Sequence, residues 1–256
     1  MPRVLGMVCV LMLAACTSKP VQPEKAKFEG VRTIALLDVR EPSQHMIYNY
    51  ISPLTALGVT GELLKEADLD FQREDFNTML RGQNLLVGKL LTDRVAEYLT
   101  SMGYSVVRLP DTRGPNIESE WTDGWMTEGR PQFDPATLDV KADAVLDLRI
   151  VRSGYISTVG VNAYSPALSV EAVLYGRPSN QPIYHVRIAY GAQPFWGEKA
   201  LVPASNSYKF GSYAKLMRQP EIAAEGLRAG ANLVAGRVIQ DFPWAYAANK
   251  KVVSKP

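Results

Sequence analysis

Imidazoles, thiols and paired carboxylates carry most protein chemistry, and this chain of 256 residues has few of the first two: His45, His185, Cys9 and Cys16. A nucleophilic enzyme needs a base held beside its nucleophile. Neither histidine sits in a Gly-x-Ser-x-Gly elbow or a His-Glu-x-x-His helix, and no phosphate-cradling glycine loop precedes a Lys-Ser or Lys-Thr pair. His185 alternates with Arg187, as on the polar face of a strand, and His45 falls in a loop. The carboxylates are richer. Glu118, Glu120, Asp123 and Glu128 share the segment Pro110 to Arg130 with Trp121 and Trp125. Acids beside indole faces are the equipment of glycan cleavage, although acids in a loop are also what water solvates. A second acidic group, Asp68, Asp70, Glu74 and Asp75, precedes a helical pattern, where the helix dipole favours negative charge.

Cys16 follows Leu13-Ala14-Ala15, at the end of an apolar run that begins at Val4 behind Arg3. A basic start, a short apolar stretch and small residues before a cut make a secretory signal, and the run falls short of the roughly 20 residues that span a bilayer. With its terminal cysteine the segment resembles a bacterial lipoprotein signal. That resemblance implies cleavage before Cys16, acylation of its thiol (palmitate among the acyl chains) and a membrane anchor. Thr17 stands where inner-membrane-retained relatives carry Asp, so the implied address is the periplasmic face of the outer membrane. Cys9 then leaves with residues 1–15, and no thiol remains for a disulfide, a zinc site or a nucleophile. No metal or cofactor is expected. Of the 28 Lys and Arg side chains only Arg3 lies in residues 1–15, leaving 27 against 26 acidic ones. That balance implies no nucleic-acid partner.

Residues 16–29 hold two prolines, three lysines and no apolar period, the composition of a flexible tether. Residues 30–245 are expected to form a single domain, and 246–256 a basic tail. Three segments exceed what a minimal domain needs. Pro42 to Gly61 lacks Asp, Glu, Lys and Arg, yet holds Tyr48 and Tyr50; Pro110 to Arg130 supplies Trp121 and Trp125; Ala192 to Met217 supplies Phe195 and Trp196. Aromatic loops of low charge either fold back as a further core layer or form a docking face. Those six aromatic residues are the candidate partner-binding set.

The elements that would position them follow from periodicity. Val31 to Val39 reads as a buried strand. Phe76, Leu80, Val87, Leu91, Val95, Tyr98 and Met102 form one helical stripe stopped by Gly103. Ser105 to Leu109 is a strand parallel to the first. A short helix is expected over Pro135 to Lys141, then a strand from Ala142 to Ile150 and a weaker one from Tyr155 to Asn162. Leu168 to Tyr175 and Ile183 to Tyr190 form a hairpin around Gly176 to Pro182. The last helix opens at Pro220 and buries Leu227, Ala231, Val234 and Val238. Its glycines 226, 230 and 236 permit close backbone approach, to the sheet or to another helix. The fold class is α/β with α+β character: a mixed sheet in the order β-α-β-α-β-β-β-α, with helices packed on it in two or three layers.

Three strings, Ile34-Ala-Leu-Leu-Asp38, Ala142-Asp-Ala-Val-Leu146 and Val234 to Pro243, resemble a group of periplasmic domains. The group includes the penicillin-binding-protein activator lipoprotein, the curli secretion lipoprotein and the amino-terminal domain of the Tol-system propeller protein. Over residues 30–243 the chain looks like proteobacterial outer-membrane lipoproteins that open on the same Thr33 to Val39 string. Together these resemblances imply a lipid-anchored binding or adaptor protein of the envelope with no chemistry of its own. The alternatives are a subunit of a homo-oligomeric assembly or secretion complex, and a glycan-active enzyme using the loop carboxylates.

Overall fold

In the computed structural model the described residues are 28–49, 72–114, 120–122, 125–127, 133–157, 163–191 and 200–243. Strand β1 (Thr33–Leu37) is buried on both faces from Ile34 onward, which is why it reads as an unbroken apolar run. It lies between β3 (Ser105–Leu109) and β6 (Ala144–Ser157) and is parallel to both. β2 (Met46–Asn49) runs parallel to the far half of β6, where Ile47 is fully buried. β6, β7 (Tyr164–Gly176) and β8 (Gln181–Tyr190) form an antiparallel meander, and β9 (Ala200–Val202) adds in parallel beside β8. The result is a seven-stranded mixed sheet in the order β3-β1-β6-β7-β8-β9 with β2 beside β6. β4 (Glu120–Thr122) and β5 (Trp125–Thr127) pair separately with each other.

Helices α1 (residues 72–81), α2 (Val87–Ser101), α3 (Tyr213–Met217) and α4 (Pro220–Ile239) follow the sequence order. α1, α2 and α4 bury Phe76, Leu91, Val95, Leu227, Val234 and their neighbours on one face of the sheet, in a single cluster with Leu36, Leu148, Val170 and Ile188. The opposite face holds a small cluster of Ala35, Leu37 and Val145. Among the described residues this is a two-layer arrangement, and no helix is long and apolar enough to cross a membrane.

The glycines of α4 divide between two packing roles. A Cβ at Gly226 would lie 2.4 Å from the Tyr155 hydroxyl, and one at Gly230 would lie 2.6 Å from the Tyr190 ring, so both glycines seat the helix on the sheet. Gly236 instead faces Tyr98 of α2, where an added Cβ would lie 3.8 Å from the ring, an ordinary van der Waals contact. Gly230→Ala is expected to destabilise by about 1–2 kcal/mol, because displacing the fully buried Tyr190 outweighs the gain in helix propensity. Gly236→Ala is expected to stabilise by about 0.5–1 kcal/mol, since nothing opposes that gain. Denaturation midpoints of the two variants, moving in opposite directions, check the assignment.

Four sequence expectations are corrected. The stripe from Phe76 to Met102 belongs to two helices, broken at 82–86, where Asn84 adopts a left-handed φ of 46° after Gly82. The helix expected over Pro135 to Lys141 is a single 3-10 turn, Pro135–Thr137, after which Leu138, Val140 and Ala142 alternate against the small cluster on the second face. The strand expected at Ala142 to Ile150 continues through Tyr155 to Ser157 as one strand, β6, whose register shifts between Ile150 and Arg152; residues 158–162 of the second expected strand lie outside the described residues. The segment Pro110 to Arg130, expected as loop, contains the β4–β5 pair.

Candidate functional site

The connection after β1 is fastened to the helical layer at several points. The Val39 amide donates to Thr92 Oγ1 at 2.9 Å, and the Glu41 carboxylate accepts from the Gly88 and Lys89 amides at 2.9 and 2.8 Å. The second contact places a negative charge at the N-terminus of α2, where unpaired amides and the helix dipole favour it. Asn77 of α1 then clasps His45: its Oδ1 accepts from the His45 amide at 2.7 Å and its Nδ2 donates to the His45 carbonyl at 2.8 Å. Between this strap, α1 and the turn into α2 opens a cleft of about 750 Å³, within the roughly 300–1,000 Å³ span of ligand sites. Its walls include Gln44, His45, Glu74, Leu80, Arg81 and Asn84.

His45 Nδ1 lies 2.9 Å from the Ser153 hydroxyl on β6, a serine–histidine pair by distance alone. Burial lowers the His45 pKa to about 4, so at neutral pH the ring is uncharged and a weak base. Ser153 is 2% exposed. A nucleophile so enclosed meets no substrate, and the pair is a structural tie between strap and sheet.

Two further charged groups lie on the second face of the sheet. Glu171 of β7 accepts from Arg149 Nη2, from Arg187 Nη2 at 3.3 Å and faces His185 Nε2 at 3.0 Å. Arg113, with a side chain 2% exposed, donates to Asp111 at 2.6 Å, to Asp147 at 2.8 Å, and to the carbonyls of Leu148 and Asp38 at 2.8 and 2.7 Å. Burial pushes the Asp111 carboxyl upward, but Arg113 and Arg40 outweigh it and hold the group below the usual aspartate range. For Asp147 burial prevails over Arg113, and its pKa is raised.

Of the residues singled out in the sequence, Tyr48 lies in β2, half-buried against Ile156 and Ala167. Trp121 and Trp125 fall on partner strands, in register with Met126 and Thr122 respectively, and Glu120 is in register with Thr127. Cys16, Tyr50, Glu118, Asp123, Glu128, Phe195 and Trp196 lie outside the described residues. Among the described residues no group of histidine, cysteine and carboxylate side chains could hold a metal ion. Sequence reasoning missed the cleft. Glu74 was assigned to the helix dipole and Arg81 to no role, and the signal that could have found them was Gly82 with Asn84, which ends α1 and leaves its last turn facing the strap.

No family model matches the chain, and no curated protein matches it. Several solved structures are similar to it in fold. A PelC dodecamer from Paraburkholderia phytofirmans gives a TM-score of 0.31 at 12% identity, covering 82% of this chain and 86% of that one. A protein from Xanthomonas campestris gives 0.36 at 9% identity, covering 87% and 89%. The lipoprotein GNA1162 from Neisseria meningitidis gives 0.28 at 13% identity, covering 62% and 81%.

Proposed function

We propose that this chain is a lipid-anchored binding protein of the bacterial envelope, an adaptor that holds a partner near the outer membrane and performs no covalent chemistry. The geometry that supports it is the commitment of both imidazoles to structural ties: His45 to Ser153 with lowered basicity, and His185 to Glu171 beside Arg187. Among the described residues neither is set beside an accessible nucleophile, while the cleft next to His45 presents hydrogen-bonding groups to solvent. Attachment rests on Cys16 after Leu13-Ala14-Ala15. More than one buried acyl chain, at about 0.8 kcal/mol per methylene, gives stable anchoring.

Cys16→Ser should release the full chain from the membrane into the soluble envelope fraction, with its unfolding midpoint unchanged. Retention of the variant in the membrane fraction contradicts the anchoring. Self-assembly is the second reading, favoured by Tyr98, Ile222 and Leu233, which are 40–49% exposed on the outer faces of α2 and α4. A concentration-independent monomer in sedimentation removes it.

A further inference from the structure

The cleft beside His45 has an unusual distribution of spent and unspent groups. Asn77 is fully engaged with the His45 and Arg73 backbone. By contrast, among the described residues the side chains of Gln44, Glu74, Arg81 and Asn84 have neither hydrogen-bond nor ion-pair partner, and His45 Nε2 has none either. Glu74 and Arg81 are seven residues apart on α1, two helical turns, which brings them onto one face with about 10 Å between their Cα atoms. Arg73, which also lines the cleft, is already engaged, so the groups left to a ligand are a carboxylate near one end, a guanidinium near the other and free amides beside them. Leu80, buried in the core, supplies an apolar wall.

We propose that this cleft binds an extended peptide segment of a partner protein, one that carries an acidic side chain for Arg81 and a basic one for Glu74. The inference rests on the adaptor reading and gives it a site. Charge complementarity sets the class. Arg81 can take a carboxylate through two parallel hydrogen bonds, and Glu74 requires a cation. The amides of Gln44 and Asn84 each offer a donor and an acceptor, as a peptide backbone does. An extended chain advances about 3.3 Å per residue, so groups about 10 Å apart correspond to an acid and a base three to four residues apart. A glycan fits less well, because among the described residues no aromatic ring lines the cleft to stack on a sugar face.

A random peptide library selected on the detergent-solubilised full chain tests this. The wild type should enrich peptides with one acidic and one basic residue at that spacing. Arg81→Glu should replace the selected acid by a second base, and Glu74→Lys should replace the selected base by a second acid. Both residues are exposed and unpaired, so the variants should melt with the wild type. Tenfold weaker binding of a wild-type-selected peptide to either variant is the expected magnitude. Enrichment of nothing, or of sequences indifferent to both substitutions, overturns the proposal. So does binding of polygalacturonate that Arg81→Glu abolishes while no peptide is selected. Photocrosslinking of the full chain in intact cells separates the two levels. Protein adducts that persist in Arg81→Glu when no peptide is selected overturn the cleft alone, and the absence of protein adducts from both forms overturns the adaptor as well.

Discussion

Arg113→Ala is expected to cost about 3–5 kcal/mol of folding stability, the range for breaking a buried ion pair from one side. The guanidinium joins three parts of the chain: its own loop through Asp111, the end of β1 through the Asp38 carbonyl, and β6 through Asp147 and the Leu148 carbonyl. Its removal leaves Asp147 buried and unpaired, together with two carbonyl acceptors that water does not replace without opening the structure. Arg113→Lys should recover little, because one ammonium cannot reach acceptors that lie in three directions. Urea unfolding of the full chain in detergent gives the number. A loss below about 1 kcal/mol would mean that the network is decoration on an independently stable sheet.

The second large effect is a pH dependence. Burial lowers the His45 pKa to about 4, whereas the unfolded chain titrates near 6.5. Its folded value is depressed, so the unfolded state binds the extra proton between these limits. The neutral ring's contribution is fully present above pH 6.5 and is lost progressively as pH falls towards 4, by about 3 kcal/mol in total. His45→Gln can keep a hydrogen bond to Ser153 but does not titrate. The difference in stability between wild type and variant should therefore shift by that amount between pH 7.5 and pH 4, with the carboxylate contributions cancelling. Parallel curves for the two proteins would show that the strap carries no protonation penalty.

The layered α/β fold was legible because its signals were local. β1 is an apolar run, β3 falls on Ser105–Leu109 as expected, and the β7–β8 hairpin turns at the glycine and proline cluster as read. The failures mark places where two local signals competed. The apolar stripe from Phe76 to Met102 stays in phase across Gly82 and Asn84, and periodicity hid the turn that shapes the cleft. At Val151 the alternation of β6 slips by one residue, and a phase slip looks like the end of a strand although the chain continues as a bulge. β7 was expected from Leu168 and begins at Tyr164; Pro166 is accommodated there because it lies beyond the last β7–β8 pair, Leu168 with Tyr190, where a missing amide breaks no ladder with β8.

The candidate site was less legible for a different reason. A cleft is made by residues distant in sequence, and none of Gln44, Glu74 and Arg81 has a pattern of its own. The sequence search favoured aromatic side chains, whereas the groups that remain unspent in the fold are charged and amide side chains on α1 and its strap. Ser153 illustrates the same limit. Nothing in the sequence connects it with His45, 108 residues away, until β2 and β6 lie side by side.

The central claim, a binding domain held to a membrane by one acylated cysteine, is tested most directly by mass spectrometry of the protein purified from its own membranes. The account predicts an amino-terminal fragment that begins at Cys16 and carries the added mass of acyl chains. A fragment that begins at Met1, or a Cys16 of unmodified mass, would contradict it.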